Sequence, residues 1–240
     1  HFVVSNLHEC IHTLRNLQSY LNHREQEEKD GNLDKARRQD TLNFTKAQIQ
    51  YVLDQLREAY SRIAIGTIRV AIKAIIEKNG RLYVYTLARD TASSRNSSDK
   101  DRKRLEDLSD PVDKNEDFDV IYSNDERCFF DNDLPNRANY LNTSIDSHDV
   151  QICSQTSFAR RKPPWLLSYR SAYVWPIRQA QSGELDIETS RCIGFLAVDS
   201  SRTDAFSEGT DFHLGAAVAD ALFHPLQLCN RLSPTERQTQ

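Results

Sequence analysis

The stretch that decides the fold covers residues 168–227. It opens with Ser168-Tyr169-Arg170-Ser171-Ala172-Tyr173-Val174-Trp175-Pro176-Ile177-Arg178, a run rich in strand formers that closes on a proline. A polar loop at 179–184, containing Gly183, reads as a hairpin connection. Cys192-Ile193-Gly194-Phe195-Leu196-Ala197-Val198 then forms the densest apolar run in the chain, a buried strand. Phe206-Ser207-Glu208 reads as a helix start, with Ser207 as N-cap and acid in the first turn. Phe212, Ala216, Ala219, Leu222, Phe223 and Leu226 recur on one face of that helix, which Pro225 is expected to kink or end. The reading is strand, hairpin, strand and covering helix.

Upstream, residues 67–76 and 82–88 are two more β-rich runs, separated by Lys78-Asn79-Gly80-Arg81. Asn-Gly between such runs is the strongest short hairpin signal, because both turn positions need positive φ. From about 90 to 117 the composition collapses to Ser, Asp, Lys, Arg and Asn, which predicts a mobile insertion with a short helix near 103–108. Residues 118–122 read as a strand and Cys128-Phe129-Phe130 as an apolar clump. Asp131-Asn132-Asp133-Leu134-Pro135 reads as a loop leading into a short helix.

At the N-terminus, Leu7, Ile11, Leu14, Leu17 and Leu21 keep helical spacing over 2–24. Leu42, Ile49, Val52, Leu53, Leu56, Tyr60 and Ile63 do so over 41–64. Asp30-Gly31-Asn32 lies between them in a charged run. Two arrangements fit: an antiparallel hairpin, or one long dimerising helix, since a central glycine costs only about 1 kcal/mol. In both, the stripes need a partner, and a second copy suits them, so a homodimer is expected. The expected organisation is a helical or coiled-coil segment at 1–40, an α+β domain at 41–230 and a flexible tail at 231–240.

The chain has 240 residues, 38% hydrophobic and 28% charged, enough for a core with solvated helix beside it. A net charge of -4 provides no basic field, so no nucleic-acid partner is expected. Five cysteines (Cys10, Cys128, Cys153, Cys192, Cys229) are odd in number and lack a CxxC pair, which fits reduced thiols in a cytoplasmic protein. No apolar run approaches the roughly 18 residues of a membrane span. The chain lacks methionine even at its start, so a fragment is expected, with room for a membrane anchor or effector domain outside it.

His8-Glu9-Cys10-Ile11-His12 matches H-E-x-x-H, whose two histidines share a helix face as zinc proteases require. Its context is wrong: only seven residues precede it and no Gly-x-x-His follows. His213 and His224 lie about 16 Å apart along a helix, too far to share a metal. No metal site is expected. With no G-x-S-x-G, P-loop or G-x-G-x-x-G either, no enzyme is expected.

Ser171-Ala172-Tyr173-Val174-Trp175-Pro176-Ile177 is similar to the S-x-x-x-x-P-I strand of GAF domains. Gly194-Phe195-Leu196-Ala197-Val198-Asp199-Ser200, with Phe206 and the helix beyond it, is similar to that family's G-x-L-x-V-D-S segment. The resemblance spans about 42–229. It implies a GAF-like α+β fold: a central antiparallel sheet of about five or six strands, helices on one face and a ligand pocket on the other. It further implies a non-catalytic sensory or regulatory module, dimeric, binding a small molecule such as a cyclic nucleotide and signalling through its helices. GAF pockets also take tetrapyrroles, haem, amino acids or nothing. No cysteine here matches a bilin attachment site, and the cofactor, if any, stays unknown. The alternatives are a ligand-free dimerisation scaffold and a thiol-dependent methionine sulfoxide reductase using Cys128 and Cys153.

A small-molecule site needs apolar walls and a few fixed polar groups. Phe129, Phe130, Asp131, Asn132, Tyr140, Ser171, Tyr173 and Trp175 supply both and are the expected ligand residues, with Tyr169 beside them. Alternation puts Ser171, Tyr173 and Trp175 on one face of their strand. If the aliphatic face packs on the helices, this face looks into the pocket. The plainer reading is that these aromatics simply cover the sheet.

Overall fold

Asn79 and Gly80 take φ values of +54° and +73°, the left-handed pair that a two-residue hairpin turn requires. They join β1 (Ile68–Lys78) to β2 (Arg81–Arg89) in antiparallel register, Lys78 opposite Arg81. The computed structural model describes residues 2–94, 103, 110–145, 165–178 and 192–232. Within them, β3 (Phe129–Asp131), β4 (Ser171–Ile177) and β5 (Gly194–Ser200) complete a five-stranded sheet of order β2-β1-β5-β4-β3. Every neighbouring pair is antiparallel. The fold is α+β. The expected loop at 179–184 and helix at 103–108, Lys103 apart, lie outside the described residues.

The N-terminal helices form the hairpin rather than one long helix. α1 (Phe2–Lys29) meets α2 (Lys35–Ile63) across a bend where Gly31 has φ +74°. Asp34 caps α2, its carboxylate accepting from the Arg37 N–H at 2.8 Å. Leu14, Leu17 and Leu21 of α1 are buried in one core with Val52, Leu53 and Leu56 of α2. Leu222 and Leu226 of the last helix, α5 (Thr210–Leu232), belong to the same core. The apolar stripes therefore find their partner inside the chain, where burial returns about 25 cal/mol per Å².

Register decides which side chains share a face. Val70 opposes Val198, which opposes Tyr173; Ile72 opposes Leu196, which opposes Trp175. These belong to the core shared with α1, α2 and α5 and define the helix face. The intervening residues Phe195, Ala172, Val174 and Phe129 belong to a second cluster on the opposite face, called the far face below.

Three local expectations change. Residues 118–122 are helical, inside α4 (Glu116–Asn124), which follows a four-residue α3 (Thr91–Ser94). Glu116, Asp117 and Asp119 fill the first turn of α4, where negative charge is favoured, and Phe118 and Ile121 bury one turn apart. α4 packs on the far face, so helices cover both sides of the sheet. Ser207 does not cap the last helix. Asp211, in the first turn, instead ties the preceding loop to the helix: its carboxylate accepts the Ser207 N–H at 2.7 Å, and its own N–H donates back to the Ser207 carbonyl at 3.3 Å. Pro225 lies inside α5 without ending it. It removes one helical hydrogen bond, but Leu222, Phe223, Leu226 and Leu228 are buried around it and hold the helix together. Within the described parts of the expected insertion, Asp90 and Asp110 each bond to the sheet. Asp90 is fully buried and accepts the Val70 N–H at 2.9 Å, and the Val84 N–H donates to the Asp110 carbonyl at 2.8 Å.

Candidate functional site

The helix face holds four of the expected ligand residues. Tyr173 stacks on Phe130 with ring centroids 4.3 Å apart, and on Trp175 at 4.7 Å. The Tyr173 hydroxyl donates to the Glu208 carbonyl at 3.2 Å. The Trp175 indole lies over Gly215 of α5. Ser171, Tyr173 and Trp175 thus share a face, as alternation requires, but it is the helix face and not the far one. The reason is shape: Gly215 leaves a notch that an indole fills, and loop carbonyls supply the acceptor for the tyrosine.

Asn132 and Ser171 fasten the loop between β5 and α5. The Asn132 side chain donates to the Phe206 carbonyl at 2.8 Å and accepts the Phe206 N–H at 3.0 Å. The Ser171 hydroxyl lies 2.9 Å from the Asn132 carbonyl and 2.7 Å from that of Arg202; its one hydrogen serves one of them at a time. Asn132→Ala is expected to lower stability by about 1–3 kcal/mol, because two backbone groups of Phe206 lose their partner. A urea melt checks this; an unchanged midpoint would show that the clamp carries no weight.

Phe129, Asp131 and Tyr140 belong to the far face. Arg137 braces that edge, paired to Asp131 at 2.8 Å and Glu116 at 2.6 Å, with its guanidinium 5.0 Å from the Phe129 ring centroid. Nearer the sheet centre, Arg69 pairs with Asp199, its cross-strand neighbour, at 2.7 Å and donates to the Ser168 hydroxyl at 2.5 Å. Burial raises the Asp199 carboxyl, and Arg69 opposes that shift. Lys73, opposite Phe195 on β5, donates to the Thr86 hydroxyl at 2.8 Å. Asn142, buried, donates its amide to the hydroxyls of Tyr169 at 3.2 Å and Tyr140 at 3.4 Å. Burial drives both phenols upward.

Asp117 is the unusual member. It is 5% exposed and its Oδ1 has no hydrogen-bond partner. Burial pushes its carboxyl up to about 7; Lys73 opposes this, while Glu116 and Asp110 add to it. Its charge is also felt by Tyr140 and Tyr169. Charged and phenolic groups therefore meet within a wall of Phe118, Phe129, Phe195, Tyr140 and Trp165. Sequence reasoning missed Lys73, Asp117, Asn142 and the Arg69–Asp199 pair. A signal existed for two of them: Arg69 and Lys73 are the cations within the otherwise apolar run 68–76, four residues apart and so on one face.

Elsewhere, His8 and His12 sit on the exposed side of α1 with ring centroids 5.9 Å apart. Among the described residues, no group of three or more His, Cys, Asp or Glu is placed to hold a metal. Burial pushes the Cys10 thiol up to about 12 and that of Cys192 to about 11, and it raises Cys128. Cys153 lies outside the described residues. No helix among the described residues is long and apolar enough to cross a membrane.

Fold and site together define an α+β domain: an antiparallel sheet with the three long helices on one face, and α4 and a polar cluster on the other. No protein-family model matches the sequence, and no curated protein matches it. Solved structures do match. The type II free methionine-R-sulfoxide reductase from Thermoplasma acidophilum is 18% identical, with a TM-score of 0.43 over 80% of this chain and 96% of that one. A domain of a protein assigned as a two-component sensor histidine kinase from Sinorhizobium meliloti 1021 is 12% identical, with a TM-score of 0.42 over 75% and 90%. A far-red cyanobacteriochrome photoreceptor is 17% identical, with a TM-score of 0.39 over 83% and 98%.

Proposed function

We propose that this chain is a sensory or regulatory domain of the GAF type that binds a small molecule on the far face of its sheet and passes the change to its helices. The observation that carries this reading is the polar cluster of Lys73, Asp117, Tyr140, Asn142 and Tyr169 among aromatic side chains, with Asp117 and Asn142 buried and the other three half-buried. Polar groups cost free energy when buried, and a sheet serving only as scaffold is better stabilised by apolar residues there. Apolar walls with a few fixed polar groups are what a small-molecule site needs. The strands supply the route outward. On β4, Val174 belongs to the far-face cluster while its neighbours Tyr173 and Trp175 pack in the helix-face core. A ligand that shifts the strand therefore changes helix packing, to the extent that it prefers one arrangement. Cys10, Cys128 and Cys192 are held away from the thiolate form, which counts against thiol chemistry at those three. A second copy would meet the exposed Phe2, Val4, Ile63 and Ile65, not the buried stripes.

The test is a thermal-shift screen of cyclic nucleotides, amino acids, amines and carboxylates, with amide chemical shifts recorded for every hit. At least one compound is expected to stabilise the fold, by about 2.7 kcal/mol at a hundred times its Kd, with the largest shifts at Lys73, Tyr140 and Ala197. Absence of stabilisation across the panel sinks the sensory reading and leaves the scaffold.

A further inference from the structure

Asp117 limits what the far face can recognise. Its Oδ1 is buried and unpartnered, although most buried polar atoms in folded proteins are paired. Lys73 acts on Asp117 through its charge while donating to the Thr86 hydroxyl, and Arg69 is paired with Asp199. A ligand bringing its own positive charge completes the contact that the fold leaves open. The surroundings suit a cation in a second way. Tyr140, Tyr169, Trp165, Phe118 and Phe195 gather on this face, and the face of an aromatic ring attracts a desolvated ammonium.

We propose that the far face takes a protonated amine carried on a small aromatic or apolar body, its ammonium group donating to Oδ1 of Asp117. This rests on the reading of the far face as a ligand site and narrows the chemistry of what enters it. Asp117 here is a binding residue with no catalytic part. Pairing with the ammonium draws Asp117 into its ionised form, so binding releases the proton that the free carboxyl holds. With that carboxyl near 7, about half a proton leaves per amine bound at pH 7.

The experiment uses benzylammonium, benzyl alcohol and benzoate, which share a ring and differ in the polar group. Calorimetry at pH 7 is run in two buffers of different ionisation enthalpy, on the whole chain and on Asp117→Asn. The expected result is that benzylammonium binds more tightly than the other two, with about half a proton released. Asp117→Asn is expected to weaken it about tenfold or more and to abolish the proton release, the scale of a hydrogen bond to a charged group. This variant keeps the shape of the side chain, and its fold is checked by the same melt. Benzyl alcohol or benzoate binding as well as the amine overturns the inference and leaves a ligand site of other chemistry. Benzylammonium binding that survives Asp117→Asn overturns it as well. Binding by none of the three also overturns it, and the broader screen then decides separately whether the far face binds anything.

Discussion

Trp175→Ala is expected to destabilise the fold by about 3–5 kcal/mol, the usual range for deleting a large buried aromatic side chain. Trp175 is 1% exposed and packed between Tyr173 and the helix layer, with Tyr60 at 6.4 Å between centroids. Its Nε1 has no acceptor, so the loss is one of packing and not of a hydrogen bond. A denaturant melt reads the change directly. The sharper result comes from its neighbour on α5. A Cβ built on Gly215 would stand 2.3 Å from Cη2 and 2.4 Å from Cζ2 of the indole. These are atoms of a rigid ring that cannot bend aside. Gly215→Ala is therefore expected to cost about 1–3 kcal/mol by overpacking, even though alanine is favoured over glycine inside a helix by about 1 kcal/mol. The two effects separate in the double variant. With Trp175→Ala already present the clash is gone, and Gly215→Ala should turn neutral or stabilising. Additive losses in the double-variant cycle would show that the indole does not wedge against Gly215.

This pair also shows where the sequence stops being legible. Asn79-Gly80 specified its hairpin because both residues tolerate the left-handed backbone that the turn needs. The strands at 171–177 and 194–200 were legible from β-formers in short runs, and the N-terminal stripes from their period. Such signals are local. Which face of β4 meets the helices is not local: it depends on Gly215, forty residues beyond Trp175, leaving a notch for an indole. Alternation alone put Tyr173 and Trp175 together without saying where they point. The same limit explains 118–122. The β-branched and aromatic residues there suggested a strand, but three acids in the first turn and the burial of Phe118 and Ile121 favoured a helix. Once that segment is helical, Asp117 is carried onto the far face, a placement that an acidic stretch read as insertion could not reveal. Lys73 was visible as a cation in an apolar strand, but its meaning waited on the acid across from it.

Asp117→Asn is expected to stabilise the protein, and to do so in a pH-dependent way. The carboxyl has an ordinary value of 3.8 and is raised to about 7 in the fold, mainly by burial. The groups that face it are Lys73, which favours its charge, and Glu116, Asp110, Tyr140 and Tyr169, whose own charges would oppose it. The sign follows from linkage. Below the unfolded value both states hold the proton and the site costs nothing. Between 3.8 and about 7 the unfolded chain gives up its proton while the folded one keeps it, so stability falls as pH rises. Above about 7 both states are ionised and the penalty levels off, at an upper limit of about 4 kcal/mol from roughly 1.4 kcal/mol per unit. Asparagine carries no charge to bury and escapes this cost. Its advantage over aspartate is therefore expected to be largest at pH 8 and about 2–3 kcal/mol smaller at pH 5. Urea melts of both proteins at the two pH values measure it. An advantage that is equal at both, or larger at pH 5, would mean that Asp117 is not held protonated by the fold. A residue whose removal stabilises the chain is retained at a cost, and such costs concentrate where a protein binds. The stability measurement and the amine titration therefore bear on the same oxygen from opposite directions: the variant that gains stability at pH 8 should be the one that loses the ligand.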